Sequence, residues 1–363
     1  IGRVKGSREP NGYLEETPIM NLLENISKYT EVDNLKLAAK AQQEYIKNGI
    51  TTVQDGLADK DSVDLFTDLA KKNNLEVDVI SYPVVTDKAN KIMKEYKKYV
   101  KNYINNFKIG GYKLILDGSP QGKSAWLTEP YEGEESYRGY PWFDDDQANE
   151  FILTAINNNM QLLTHCNGDA AADQLLNNYE SALKKSDNPN KYNLRPVMIH
   201  SQIVRNDQLD KMAELGMIPS MFVAHTFYWG DVHLKNLGFK RGSRIDPAKS
   251  ALDRNLCINF HQDSPIVKPL MLHTIWSAVN RKTRKGKTIG PEERISVYEA
   301  LKAVTINAAY QYSEEGIKGS IKEGKLADLV ILDKNPLKVD KMKIKDIKVL
   351  ETIKEGKTIF RRD

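Results

Sequence analysis

At 363 residues, with 40% hydrophobic and 28% charged residues, the chain has room for a large α/β barrel plus an appendage and the ordinary composition of a soluble enzyme. No apolar run approaches the length needed to cross a bilayer, and the net charge of +4 comes from lysines spread along predicted helix faces, so neither a membrane nor a nucleic-acid partner is expected. Two cysteines, Cys166 and Cys257, each within an apolar strand-like run, argue against a disulfide framework and suit a reducing, cytoplasmic setting. The chain opens on Ile1 rather than methionine, and further sequence upstream is expected.

Strand-like runs alternate with helical patterns along most of the chain. "GITTVQDG" ends at Gly56, "LEVDVISYPVV" at Val85, "GYKLILDG" at Gly118, "MQLLTHCNGD" at Asp169, "RPVMIHSQ" at Gln202, "MIPSMFVAH" at His225 and "LCINFHQDSP" at Pro265. Amphipathic segments separate them. In "DNLKLAAKAQQEYIKNG" the spacing predicts a helix with Leu35, Ala38, Ala41 and Tyr45 on one face and Gly49 as its stop; "NDQLDKMAELG" predicts another, capped by Asn206 or Asp207 and ended by Gly216. Near-continuous apolar strands alternating with helices imply a parallel sheet covered by helices. Asp55, Asp117, His165, His200, His225 and Asp263 recur near the C-terminal ends of these strands, which a closed barrel gathers round one mouth. No G-x-G-x-x-G follows the first strand, so a dinucleotide fold is disfavoured. The expected class is a TIM (β/α)8-type barrel, with seven of its eight strands counted here.

Between Gly118 and about Asp146 the chain carries "GSPQGKSAWLTEPYEGEESYRGYPWFDDD", a long aromatic-rich loop without helical period. Such a loop inside a compact domain is usually functional, often a lid, and Trp126, Tyr131, Tyr137, Tyr140, Trp142 and Phe143 need cover. Further on, "ERISVYEALKAVTINAAYQY" reads as one helix reaching about Tyr312. The short alternating runs "ADLVILD" and "KVLETIKEGKTIF" then suggest antiparallel β structure over 313–363, beside a barrel spanning 1–312.

The chemistry-bearing residues start from a pair. In "CINFHQDSPIV" an extended strand places His261 and Asp263 on one face, where they can grip one object. His165 and His200 end consecutive strands. A lone strand-end histidine is more often a satisfied hydrogen-bonding residue than a ligand, but imidazoles and a carboxylate at one barrel mouth are the usual ligands of a catalytic zinc. Lys113 shares a face with Ile115 and Asp117, so it is either paired, neutral or modified inside the barrel, or snorkels to solvent from the strand's entrance.

The segments "GYKLILDGSPQGKSAWL", "THCNGDAAADQLL", "RPVMIHSQIV", "FVAHTFYWGDVHLKNLG" and "HQDSPIVKPLMLHTIWSAVNR" resemble successive barrel motifs of the amidohydrolase superfamily, in the branch containing N-substituted formamide deformylases. "GSIKEGKLADLVILDKNPL" resembles that family's C-terminal part of a small β-sandwich. The resemblance implies metal-dependent hydrolysis of an amide or other C–N bond of a small molecule. It implies Lys113 as a carbamate bridging two metal ions, His165 and His200 as ligands, and Asp263 as ligand and proton acceptor. Zn2+ or a similar divalent ion is the implied cofactor. His225, Trp229 and Trp126 are expected to shape the substrate pocket, and His225 and His261 to touch substrate or orient ligands. Surface or packing roles are expected for His233 and His273. The family's first-strand His-x-His has no counterpart among the six histidines; the chain begins at a segment, "SREPNGYLEE", resembling the link to the second strand, and the uncounted strand is expected to be the first.

The rival reading from another class is a non-catalytic or truncated barrel relative with a binding or regulatory role. A glycosidase barrel using Asp55, Asp117 and Asp263 is weaker, because it leaves the histidines unexplained. An exposed barrel edge or a shared sandwich would favour a homodimer.

Overall fold

The computed structural model describes residues 3, 4, 6–12 and 34–363, so residues 13–16 of the expected linking segment lie outside the described residues. Two compact units are distinguished, Ile1–Lys40 and Ala41–Asp363. In the first, the described residues include a bridge between Arg3 and Pro10. The second carries the alternation of strands and helices.

Its parallel strands are β1 (Thr52–Ala58), β2 (Asp78–Pro83), β3 (Phe107–Ile109), β4 (Gly111–Ile115), β5 (Gln161–Cys166), β6 (Val197–His200), β7 (Ile218–Met221) and β8 (Asn259–Phe260). They form ladders in the orders β1-β2-β3 and β4-β5-β6-β7-β8, and a parallel bridge between Val84 and Lys113 joins β2 to β4. Because β3 and β4 are separated only by Gly110 and both face β2, they act as one interrupted strand, and the seven strand positions match the seven read from sequence. Helices cover the sheet between strands, as the alternation predicts. This is the strand–helix arrangement of a (β/α) barrel.

Period-two alternation sorts the strand residues into two layers. Tyr112, Leu114, Leu162, Met198, Met221 and Phe260 belong to the large core between sheet and helices, with Ile152, Leu175, Leu209 and Trp276. Ile80, Tyr82, Leu163, Val197, Ile199 and Ile218 fill the lumen, packed against Tyr103, Tyr310 and Tyr312. Among the described residues no ladder joins β1 to β8. Instead Gln311 links them, donating to Gln54 Oε1 at 3.0 Å and accepting from Asn259 Nδ2 at 2.7 Å.

Gln311 belongs to a floor laid under the N-terminal strand ends. The expected single helix is two, Val297–Ala303 and Ile306–Gln311, because the β-branched run Val304-Thr305-Ile306 breaks it, with Thr305 at φ −130° and ψ −97°. Below them Lys108, Lys318 and Lys354 interleave with Asp78, Glu314 and Asp328 in a buried ionic network. The tail forms the antiparallel sheet β9 (Leu329–Leu332), β10 (Val349–Lys354) and β11 (Lys357–Arg361), as its alternating pattern suggests.

Two local expectations are corrected. In the helix Asn34–Ile46 the buried residues are Gln42 and Ile46, while Leu35 and Ala41 are exposed. Gln42 is buried because its amide donates to Asn74 O at 3.0 Å and accepts from Glu76 N at 2.7 Å, so a polar residue occupies the inner face. The helix Asn206–Glu214 is capped one residue earlier than expected, at Arg205, whose N–H donates to Gln208 Oε1 at 2.9 Å. The stops hold: Gly49 and Gly216 adopt φ +80° and +62°.

Candidate active site

The C-terminal strand ends gather Lys113, His165, His200, His261 and Asp263. Lys113, on the lumen face of β4, is only 6% exposed, which settles the choice between interior and solvent in favour of the interior. Burial lowers its ammonium pKa to about 8, partly opposed by the Asp263 carboxylate. His165 Nδ1 lies 3.1 Å from His200 Nε2, and His200 Nδ1 lies 3.1 Å from His261 Nε2. Burial, reinforced by the Lys113 charge, pushes both His165 and His261 down to about 3 and holds His200 well below the usual imidazole range. All three rings are therefore neutral at pH 7, the form that ligates metal. The Asp263 carboxyl is raised by burial and pulled back by Lys113.

His200 reaches this cluster by breaking the strand pattern. Its ladder partners, Cys166 and Met221, belong to the helix-side core, so alternation alone would aim His200 away from the lumen. Instead His200 has φ +77° and its ring meets His165 and His261. Asp263 likewise has φ +54°. Left-handed backbone at a non-glycine residue costs about 1–3 kcal/mol and concentrates at functional sites.

Asp117, fully buried two residues past β4, ties the site together. Its carboxylate accepts from Trp126 N at 3.0 Å, Asn167 N at 3.0 Å and Gly168 N at 2.7 Å, and its Oδ1 lies 3.7 Å from His165 Nε2. Gly118 O, 3.4 Å from the same nitrogen, also orients the ring. The long loop is thereby tied down as a wall beside the site. Thr128 is held by Asp169, Glu132 N donates to Asn236 O at 2.8 Å, and Arg241 donates to Pro130 O at 2.6 Å. Of its aromatics, Tyr131 is buried, Trp126, Trp142 and Phe143 are half-buried, and Tyr137 and Tyr140 lie at the surface.

Gly168 is where wall and strand end touch. A Cβ there would sit 1.8 Å from Trp126 O, a backbone atom that cannot swing aside. Gly168→Ala is expected to destabilise the protein by about 1–3 kcal/mol, read as a lower urea midpoint at unchanged slope.

Beside the cluster stands an aromatic face. Phe222 lies 5.6 Å from the His261 ring and 4.5 Å from that of His225, and Trp229 is 4.6 Å from His225. His225 is not a strand-end residue: β7 stops at Met221 and His225 opens a short helix, His225–Tyr228. Its Nδ1 lies 3.1 Å from His233 Nε2, so His233 is a buried packing partner. His273 packs half-buried against Phe227 and Trp276. Trp126 meets the site through its backbone, its ring lying against the helix-side core. Asp55 is not part of the cluster. Gln54 on the same strand faces the lumen, whereas Asp55 accepts from Ser81 Oγ at 3.0 Å, and burial raises its carboxyl pKa to about 6. Sequence reasoning does not single out Ser220, whose Oγ lies 3.0 Å from His261 Nδ1; its only signal is its place one strand away from His261.

The barrel, with neutral imidazoles, a carboxylate and a buried lysine at one mouth, defines a class of barrel carrying a candidate metal centre. The amidohydrolase family profile matches residues 1–360, and the chain belongs to that family. It is 26% identical over 254 residues to the N-substituted formamide deformylase of Arthrobacter pascens, covering 70% of this chain and 46% of that one. It is 29% identical over 345 residues to the protein LONG AFTER FAR-RED 3 of Arabidopsis thaliana, covering 91% of this chain and 58% of that one. The chain spans about half the length of the curated relatives it matches. The fold superposes on an uncharacterized metal-dependent hydrolase from Pyrococcus horikoshii OT3 with TM-score 0.79 and 21% identity, covering 94% of this chain and 68% of that one.

Proposed function

We propose that the chain provides the barrel of a metal-dependent hydrolase cleaving an amide or other C–N bond of a small molecule, with Lys113, His165, His200 and Asp263 as ligands to one or two divalent ions. The observation that carries this reading is the convergence of neutral imidazoles and a carboxylate at one mouth, with His200 buried and Asp263 on the open side. The donor set fits a borderline divalent ion such as Zn2+, which takes imidazole nitrogen and carboxylate oxygen readily. Lys113 fits as well: buried beside Asp263 and largely desolvated, its amine is suited to carbamylation.

A bound divalent ion supplies a lowered pKa for water and polarisation of the scissile carbonyl. The remaining steps fall to the chain's own groups. Asp263, its carboxyl already raised by burial, accepts the proton of the attacking water and returns it to the departing amine. Asp117 and Gly118 O hold the His165 ring in place, and the wall from Trp126 onward limits entry of bulk water. Phe222, His225 and Trp229 offer an aromatic face to the substrate beside His261, while Trp126 serves through its backbone in the wall rather than through its ring. The name of the Arthrobacter pascens relative supports an amide-type substrate. Two free thiols, Cys166 buried and Cys257 half-buried, support a cytoplasmic setting.

Purified protein should carry Zn2+ or a similar ion by elemental analysis, His200→Ala should lower it, and a chelator should stop amine release from a panel of N-substituted formamides and amides. Unchanged metal content in His200→Ala, or activity untouched by chelation, would sink the reading.

A further inference from the structure

Resting on the reading that the mouth is a metal centre, we infer that His261 is itself a ligand, and that His200, His261 and Asp263 hold one ion without help from Lys113 or His165. The resemblance assigns the last strand a single ligand, Asp263; the geometry assigns it two. The ligand atoms of His200, His261 and Asp263 all lie within 4.8 Å of one another, and among the described residues this is the group of three that does so. Donors about 2.0–2.2 Å from a tetrahedral Zn2+ lie about 3.3–3.6 Å apart, so small side-chain rotations close the site.

Two further observations set His261 apart from a packing residue. Its Nδ1 faces Ser220 Oγ at 3.0 Å, and with Nδ1–H donated to that hydroxyl the Nε2 lone pair points at the His200 side of the cluster. A ligating histidine is held in the same way, by an outer hydrogen bond that fixes tautomer and ring. His200 and Asp263 also share left-handed backbone, φ +77° and +54°, which the fold maintains at two of the three positions. His200 addresses His261 through Nδ1 and His165 through Nε2. One ring nitrogen serves one ion, so the ion held on the His261 side leaves His165 outside its ligand set.

The test loads the full chain with Zn2+ or Co2+ alone and reads affinity, stoichiometry and the visible Co2+ spectrum. Lys113→Met and His165→Gln should each still bind one ion, with the bands of the His200, His261 and Asp263 site, whether or not the wild type also holds a second ion through Lys113 and His165. His261→Ala should weaken binding by more than the about 10–100-fold that loss of an outer partner costs, and Ser220→Ala should fall within that range. His261→Cys, which keeps a ligand atom, should restore binding and add a thiolate-to-Co2+ band. His261→Ala binding like wild type, or His165→Gln losing the ion, overturns the inference while leaving the metal reading standing. A wild type that binds neither ion overturns both. Circular dichroism of each variant separates lost ligation from lost fold.

Discussion

Asp263→Asn is expected to lower kcat by about 10²–10⁴-fold at saturating metal, the range that a positioned general base contributes. Asparagine keeps an oxygen that can ligate but cannot take a proton, so assays at several metal concentrations separate a weakened site from a missing base. Asp263 is well placed for the task. It stands on the open side of the cluster, its carboxyl is raised by desolvation, and Lys113 is the group that pulls it back. Its left-handed backbone, φ +54°, sets the carboxylate within 4.8 Å of the His200 and His261 nitrogens. Removing the carboxylate also removes the attraction that props up the Lys113 ammonium, so that amine should become still easier to deprotonate. Turnover at the wild-type rate would exclude Asp263 from proton transfer.

Much of this arrangement is legible in the sequence because strand periodicity is local. "GYKLILDG" announces Lys113 on one face and Leu114 on the other, and the structure places Lys113 at the mouth and Leu114 in the helix-side core. His200 is legible only by its place at a strand end. Alternation would point it outward with Met198, and its positive φ cannot be read from "RPVMIHSQ". His261 is half legible: the sequence pairs it with Asp263, but β7 intervenes between its strand and that of His200. Adjacent strands lie about 4.8 Å apart, so only the inward curvature of the sheet brings those two rings together. The floor is not legible at all. Asp78, Lys108, Glu314, Lys318 and Lys354 each look like ordinary surface charges, since their partners are up to 276 residues away, the separation of Asp78 and Lys354.

That floor carries the other large effect. Glu314→Gln is expected to destabilise the protein by about 3–5 kcal/mol, the usual consequence of removing one partner from a buried ion pair. Glu314 is the carboxylate paired with Lys108, and it also lies 2.6 Å from Lys318. Lys318 keeps Asp78 at 2.7 Å, and Lys354 holds Asp78 at 3.2 Å and Asp328 at 3.6 Å. The loss therefore falls on Lys108, which burial already pushes below the usual lysine range. Without Glu314 its folded-state pKa drops further below the unfolded value of about 10.4. The unfolded chain then binds more protons than the folded one, so the variant's stability rises as pH climbs toward that value, and its deficit against wild type narrows. Urea midpoints at neutral and alkaline pH check the sign. A double variant, Lys108→Met with Glu314→Leu, removes both charges of the pair and should recover most of the loss, because apolar side chains of similar volume fill such sites without a desolvation penalty. The floor lies under the N-terminal strand ends, so metal binding at the opposite mouth should be unchanged in whatever fraction of the variant remains folded.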